Sequence, residues 1–133
     1  MVEPQIVDGA GLEVLDRAAC LRLLGAGGIG RIAVAGNPPV IRPVNFVLDG
    51  ERLVVRTGAG SIWRAASARR PASFEIDGSS NVDHRGWSVI ASGRLDPVET
   101  DEATLRLPLR AWAPHGRDRF VALTIDEIGG RRL

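Results

Sequence analysis

The chain has 133 residues, 44% of them hydrophobic and 25% charged, with a formal net charge of +1. Such a length predicts one domain that buries a core without disulfides or a structural metal, and the near-neutral balance gives no basis for a nucleic-acid surface. A single cysteine (Cys20), two isolated histidines (His84 and His115), a polar acidic start and no apolar run long enough to span a bilayer exclude a disulfide scaffold, a Cys/His metal cage, a signal peptide and a membrane span. A cytoplasmic protein is the expectation, with no nucleic acid or membrane as partner.

Residues 1–15 are mixed in character and are expected to form a loosely held arm with a short strand near Leu12–Leu15. Asp16 has the chemistry of an N-cap for a helix from Arg17 to about Leu24, with Cys20, Leu21 and Leu24 on one face and Gly25, Gly27 and Gly28 ending it. Gly30–Ala35 reads as a strand, Gly36-Asn37-Pro38-Pro39 as a turn, and Val40–Leu48 as a second strand. Asp49-Gly50 then makes a hairpin into a third strand, Arg52–Thr57. A proline cannot donate to a ladder, so Pro43 places its strand at an edge or at a bulge, where a ligand can approach the backbone.

The stretch Arg56-Thr57-Gly58-Ala59-Gly60-Ser61 ends that strand in a glycine turn and opens a helix to about Ala68, with Ser61 as the expected cap. Free N–H groups at such a turn, beside the Thr57 and Ser61 hydroxyls, suit a small anion such as a phosphate. The plainer role of these two residues is a turn hydroxyl and a helix cap. Downstream, Ala72–Asp77 alternates as a half-buried strand, residues 78–85 form a polar loop, and Gly86–Val98 is a long strand with a bulge or tight crossing at Gly93. Thr100 or Asp101 caps a third helix to about Leu107, residues 111–116 form a loop around Trp112, and Phe120–Ile128 is the final strand. About six strands with three short helices, and no repeated strand–helix alternation, point to a mainly β (α+β) fold, a small antiparallel barrel with peripheral helices.

Several side chains stand out. Arg42 shares a strand face with Val44 and Phe46, and a charge there implies a partner or a ligand. Asn45 is a residue type depleted in strands, and its amide suits a hydrogen bond to a ring edge. All 17 basic residues are arginine; coding bias suffices to explain this, but each is a fork-shaped donor suited to phosphate or carboxylate. Arg56 alternates away from Thr57. Trp63, Trp87 and Trp112 are large and few, fit for packing or for stacking on a ring.

The ordered set Gly30-Arg31-Ile32-Ala33-Val34, Pro43-Val44-Asn45-Phe46, Arg56-Thr57-Gly58-Ala59-Gly60-Ser61, Phe74-Glu75-Ile76-Asp77, Gly86-Trp87-Ser88-Val89 with Gly93, and Gly130-Arg131-Arg132 resembles the pyridoxamine 5′-phosphate oxidase-like family of flavin-binding split barrels. The resemblance covers the chain from about residue 16 to the end. It implies a six-stranded Greek-key split barrel, a homodimer, and flavin mononucleotide (FMN) in clefts at the subunit interface. It further implies that the phosphate lies at Thr57 and Ser61, that the ring edge runs along Pro43, Val44 and Asn45, and that the partner's Trp87, Ser88, Trp112 and Arg131 complete the cleft. The activity implied is that of an oxidoreductase passing hydride through the flavin to a small conjugated substrate. No catalytic side chain is assigned, because the cofactor carries the chemistry.

One departure stands out. Where relatives carry basic residues after the motif serine, this chain has Ile62-Trp63, and the first cation is Arg64. A phosphate there lacks one or two charge-assisted bonds, each worth about 1.5–3 kcal/mol, with Arg56, Arg64 or Arg42 as the available replacements. A deazaflavin cofactor, or a flavin-binding module without turnover, are the alternatives this leaves.

Overall fold

A computed structural model describes residues 5–109 and 118–133. Its elements are β1 (Glu13–Leu15), α1 (Arg17–Gly25), β2 (Gly28–Val34), β3 (Val40–Asp49), β4 (Arg52–Thr57), α2 (Ser61–Ser67), β5 (Pro71–Ser80), β6 (Arg85–Val98), α3 (Glu102–Leu105) and β7 (Arg119–Arg132). Every strand pairing is antiparallel, and the lateral order is β1-β7-β4-β3-β2-β5-β6, with β6 returning to pair β7. Six strands therefore close a barrel, and β1 is an extra strand on the end of β7. The meander β2-β3-β4 is followed by the α2 crossover, which lays β5 beside β2: the Greek key.

Local chemistry accounts for most of these boundaries. The Asp16 carboxylate accepts from the Ala19 N–H at 2.8 Å and starts α1, while the Asp101 carboxylate does the same for Thr104 in α3. Asp49 pairs with Arg52 across a two-residue turn. At Gly93 the β6–β7 register slips, and a Cβ there would lie 1.7 Å from the Thr124 carbonyl oxygen. The bulge that bends β6 around the barrel thus has room only for glycine.

The barrel interior holds Leu24, Ile32, Phe46, Leu53, Phe74, Val89, Leu95, Val121 and Leu123, and Cys20 is fully buried among them. Phe46 and Phe74 meet edge to face at 4.8 Å between centroids, a contact worth about 0.5–1.5 kcal/mol beyond its area. A smaller cluster, Val54, Leu109, Phe120 and Ala122, sits outside the barrel wall under the segment that follows α3. Trp63 packs against the main core, with the Arg119 guanidinium 4.8 Å over its ring.

Three expectations need correction. Residues 78–80 and 85 are ladder rather than loop: Ser80 pairs Arg85, so β5 and β6 form a long hairpin with its turn at 81–84, His84 among them. The last strand does not stop at Ile128 but runs to Arg132, because Gly129-Gly130-Arg131-Arg132 is paired by β6 on one side and, from Gly130, by β1 on the other. The arm is tied down over its described part. Val7 bridges Glu13, Val14 donates to the Ile6 carbonyl at 2.6 Å, and Asp8 accepts from Arg131 Nε at 2.9 Å.

Candidate functional site

The barrel is split on one side. β3 pairs β2 from Val40 to Phe46, but it pairs β4 only from Phe46 to Asp49. Beyond Val55, β4 continues along β7 as far as Thr57, leaving the first half of β3 without a neighbour on that side. Pro43 lies in this half, where its missing N–H costs no ladder bond. The chain leaves β4 through Gly58-Ala59-Gly60 and enters α2. The space between this turn and the free edge of β3 is a cavity of about 280 Å³ lined by Arg42, Pro43, Val44, Arg56, Thr57, Gly60, Ser61, Ile62 and Arg64.

Seven of the twelve residues singled out in the sequence meet here: Arg42, Pro43, Val44, Arg56, Thr57, Ser61 and Arg64. Thr57 is buried, 5% exposed. Ser61 is not the cap: Gly60 occupies the extended cap position and offers no side chain, so Ser61 is the first helical residue and its hydroxyl is not spent on capping. Arg42 is not buried against a partner as its strand face suggested. It stands exposed at the rim, donating from Nη1 to the Ile41 carbonyl at 3.1 Å. Arg56 does point away from Thr57, over the Phe120 ring at 5.5 Å, yet its side chain still borders the cavity. Among the described residues neither Arg42 nor Arg64 pairs with a carboxylate and no acidic residue lines the cavity.

The arrangement is a cleft lined by two hydroxyl residues and three arginines, with no carboxylate among the described residues that line it, which suits a phosphorylated ligand. A seven-residue helix contributes free first-turn N–H groups, while the positive charge comes from the arginines. The donor set therefore fits the phosphate tail of a flavin nucleotide.

Trp87, Ser88 and Arg131 lie elsewhere. They border a second hollow of about 490 Å³ at the turn end of the β5–β6 hairpin, together with Leu12, His84 and Arg85. Trp87 and Ser88 take opposite faces of β6; the indole lies over Gly78, where an added Cβ would meet the ring nitrogen at 2.7 Å. Asn45 is half-buried opposite Ile29 and lines neither space, and Trp112 falls outside the described residues. Gly60 of the glycine turn and Ile62, which follows the motif serine, also line the first cavity. Sequence reasoning missed Asp8 beside Arg131, because nothing in sequence links residue 8 to residue 131.

A closed antiparallel Greek-key barrel, split along one strand edge with a glycine turn bearing two hydroxyl residues in the opening, defines the class of flavin-binding split barrels. The chain belongs to the pyridoxamine 5′-phosphate oxidase family, whose pattern matches residues 16–132. Among solved structures it is similar to the FAD binding protein from Mycobacterium smegmatis, with 30% identity over 90% of this chain and 97% of that one and a TM-score of 0.73. It is similar also to a conserved protein of unknown function from Corynebacterium diphtheriae, at 28% identity over 90% and 96% of the two chains and a TM-score of 0.69. An FAD-binding protein from Mesorhizobium loti shares the fold, at 19% identity over 92% and 98% and a TM-score of 0.75. No protein of curated function matches the chain in sequence.

Proposed function

We propose that this protein is a flavin-dependent oxidoreductase that works as a homodimer and acts on a small conjugated substrate. The observation that carries the reading is the cleft beside the free edge of β3, which gathers Thr57, Ser61, Arg42, Arg56 and Arg64 with no carboxylate among the described residues that line it. These five residues would hold the phosphate of FMN. Pro43 and Val44, on the half of β3 that has a free edge toward β4, would border its ring system, with the Asn45 amide next in the strand. Trp87, Ser88 and Arg131 line no part of this cleft in their own chain, so in the dimer they would come from the second subunit. When bound, the flavin supplies two-electron hydride chemistry. The protein's part is to bind, to orient and to exclude water, and Arg42, Arg56 and Arg64 would compensate for the missing cations at Ile62 and Trp63.

A second reading keeps the site and changes the ligand. The relative from Mycobacterium smegmatis is an FAD binding protein, which favours FAD in the same cleft, held with or without turnover. A visible absorption spectrum of the purified protein, alone and with added FMN, FAD or a deazaflavin, tests both. The reading predicts a bound flavin spectrum, or saturable uptake of FMN at micromolar or lower concentration. FAD bound in preference to FMN supports the second reading, and preference for the deazaflavin replaces the cofactor. A colourless protein that takes up none of them defeats the proposal.

A further inference from the structure

We propose that Asp8 is a positioning residue for the cleft: it fixes the guanidinium of Arg131 in the orientation in which Arg131 meets the ligand. The inference rests on the dimeric flavin site proposed above. Arg131 borders the hollow at the turn end of the β5–β6 hairpin and a neighbouring one lined by Ile90, Glu127 and Ile128 on β6 and β7, and Ser88 stands directly opposite it in the ladder. At a strand end, a long arginine side chain ordinarily samples many rotamers, and ordering it opposes binding.

Here the ordering is done in advance. Asp8 Oδ1 accepts from the backbone N–H groups of Ala10 at 2.9 Å and Leu12 at 3.0 Å, so the carboxylate is locked by its own turn. That turn is locked to β7 in its turn, because β1 pairs Val14 with Arg131 and Leu15 with Gly130. The remaining oxygen, Oδ2, meets Arg131 Nε at 2.9 Å, and Arg131 Nη1 donates to the Gly130 carbonyl at 2.9 Å. An end-on contact through Nε, rather than a fork through both Nη atoms, leaves three of the five guanidinium N–H bonds for a ligand. Asp8 thus holds the group through Nε, at the edge of the hollow that Arg131 and Ser88 both border.

The test is a double-mutant cycle on flavin affinity, with FMN and FAD as the probes, using Asp8→Asn, Arg131→Ala and the pair together. Asparagine keeps an oxygen for the Ala10 and Leu12 N–H groups, so the turn survives, but it removes the charge that holds Arg131. The expected result is a loss of about fivefold for Asp8→Asn, a larger loss for Arg131→Ala, and no further loss when Asp8→Asn is added to Arg131→Ala. Thermal midpoints of the ligand-free variants separate this from a tie that only secures the arm. A purely structural tie would lower the Asp8→Asn midpoint and leave the dissociation constant of the folded protein where it was. Wild-type affinity in Asp8→Asn, or a loss that adds to that of Arg131→Ala, overturns the proposal while leaving the flavin site standing. A wild-type chain that binds neither flavin removes the site and this proposal with it.

Discussion

Two residues show most directly how backbone geometry constrains this sequence. Gly93 stands at the β6 bulge with the Thr124 carbonyl where a side chain would begin. Because that neighbour is backbone in a paired strand, it cannot step aside, and Gly93→Ala is expected to cost more than about 3 kcal/mol, read by chemical denaturation. Arg69 is the reverse case. It closes α2 with φ of 53°, its N–H bonding the Ala66 carbonyl at 2.9 Å and the Arg70 N–H bonding that of Ala65 at 3.0 Å. Helices usually place glycine at this position. Arg69→Gly relieves left-handed strain of about 1 kcal/mol and loses only a solvent-exposed ion pair with Asp96, worth about 0.5 kcal/mol. Arg69→Ala loses the pair and keeps the strain. Thermal denaturation is expected to rank the glycine variant above the alanine variant by about 1 kcal/mol.

At the scale of elements, the parts of the fold legible in the sequence are those set by local chemistry. The Asp16 cap, the Asp49-Gly50 turn and the bulge at Gly93 each follow from a few adjacent residues. What was not legible depends on pairing rather than propensity. Gly78-Ser79-Ser80 and Gly129-Gly130 have low strand propensity; the first is strand because the β5–β6 hairpin continues to its turn, with the Trp87 indole covering Gly78, and the second because a long-range ladder with β6 holds it. The site divides the same way. The strand–turn–helix carrying Thr57 and Ser61 could be read directly, whereas the place of Arg42 at the rim depended on where β3 and β4 separate.

The outer face of β2 and β5 adds a pH dependence. Arg31 Nη1 reaches Glu75 at 3.2 Å and Asp77 at 3.6 Å. Burial, and then the neighbouring Asp77, hold the Glu75 carboxyl above its ordinary value of 4.5, with Arg31 opposing. A carboxyl raised in the folded state is penalised when charged, so this cost acts at neutral pH and fades as pH falls through the raised value toward 4.5. Glu75→Gln is therefore expected to melt higher than the wild type at pH 7, with the gap closing toward pH 4.5. Asp8 and Asp101 run the other way. Backbone N–H groups hold both carboxyls below 3.8, led by Leu12 for Asp8 and by Thr104 for Asp101, so their stabilisation is full at neutral pH and is lost as pH falls below 3.8.

At the scale of the whole molecule, the residues bordering the two hollows share no member within one chain, and the proposed function joins them through a second copy. The apolar side chains Ile29, Ile41 and Ile90 stand 48%, 61% and 53% exposed on the outer side of the sheet, the first two on β2 and on the β3 edge that carries Pro43, the third on β6. Gel filtration is expected to give twice the 14.2 kDa chain mass, and a monomer mass would leave the cleft half built. The central claim is that the cleft at Thr57 and Ser61 grips the phosphate of a flavin. Calorimetric titration of FMN and FAD into the wild type and into Thr57→Val with Ser61→Ala measures it most directly. The account predicts one flavin per chain with a micromolar or tighter constant for the wild type, and a loss of about a hundredfold in a double variant of unchanged melting temperature. A folded wild type that binds neither flavin, or a double variant that binds as tightly as the wild type, would contradict it.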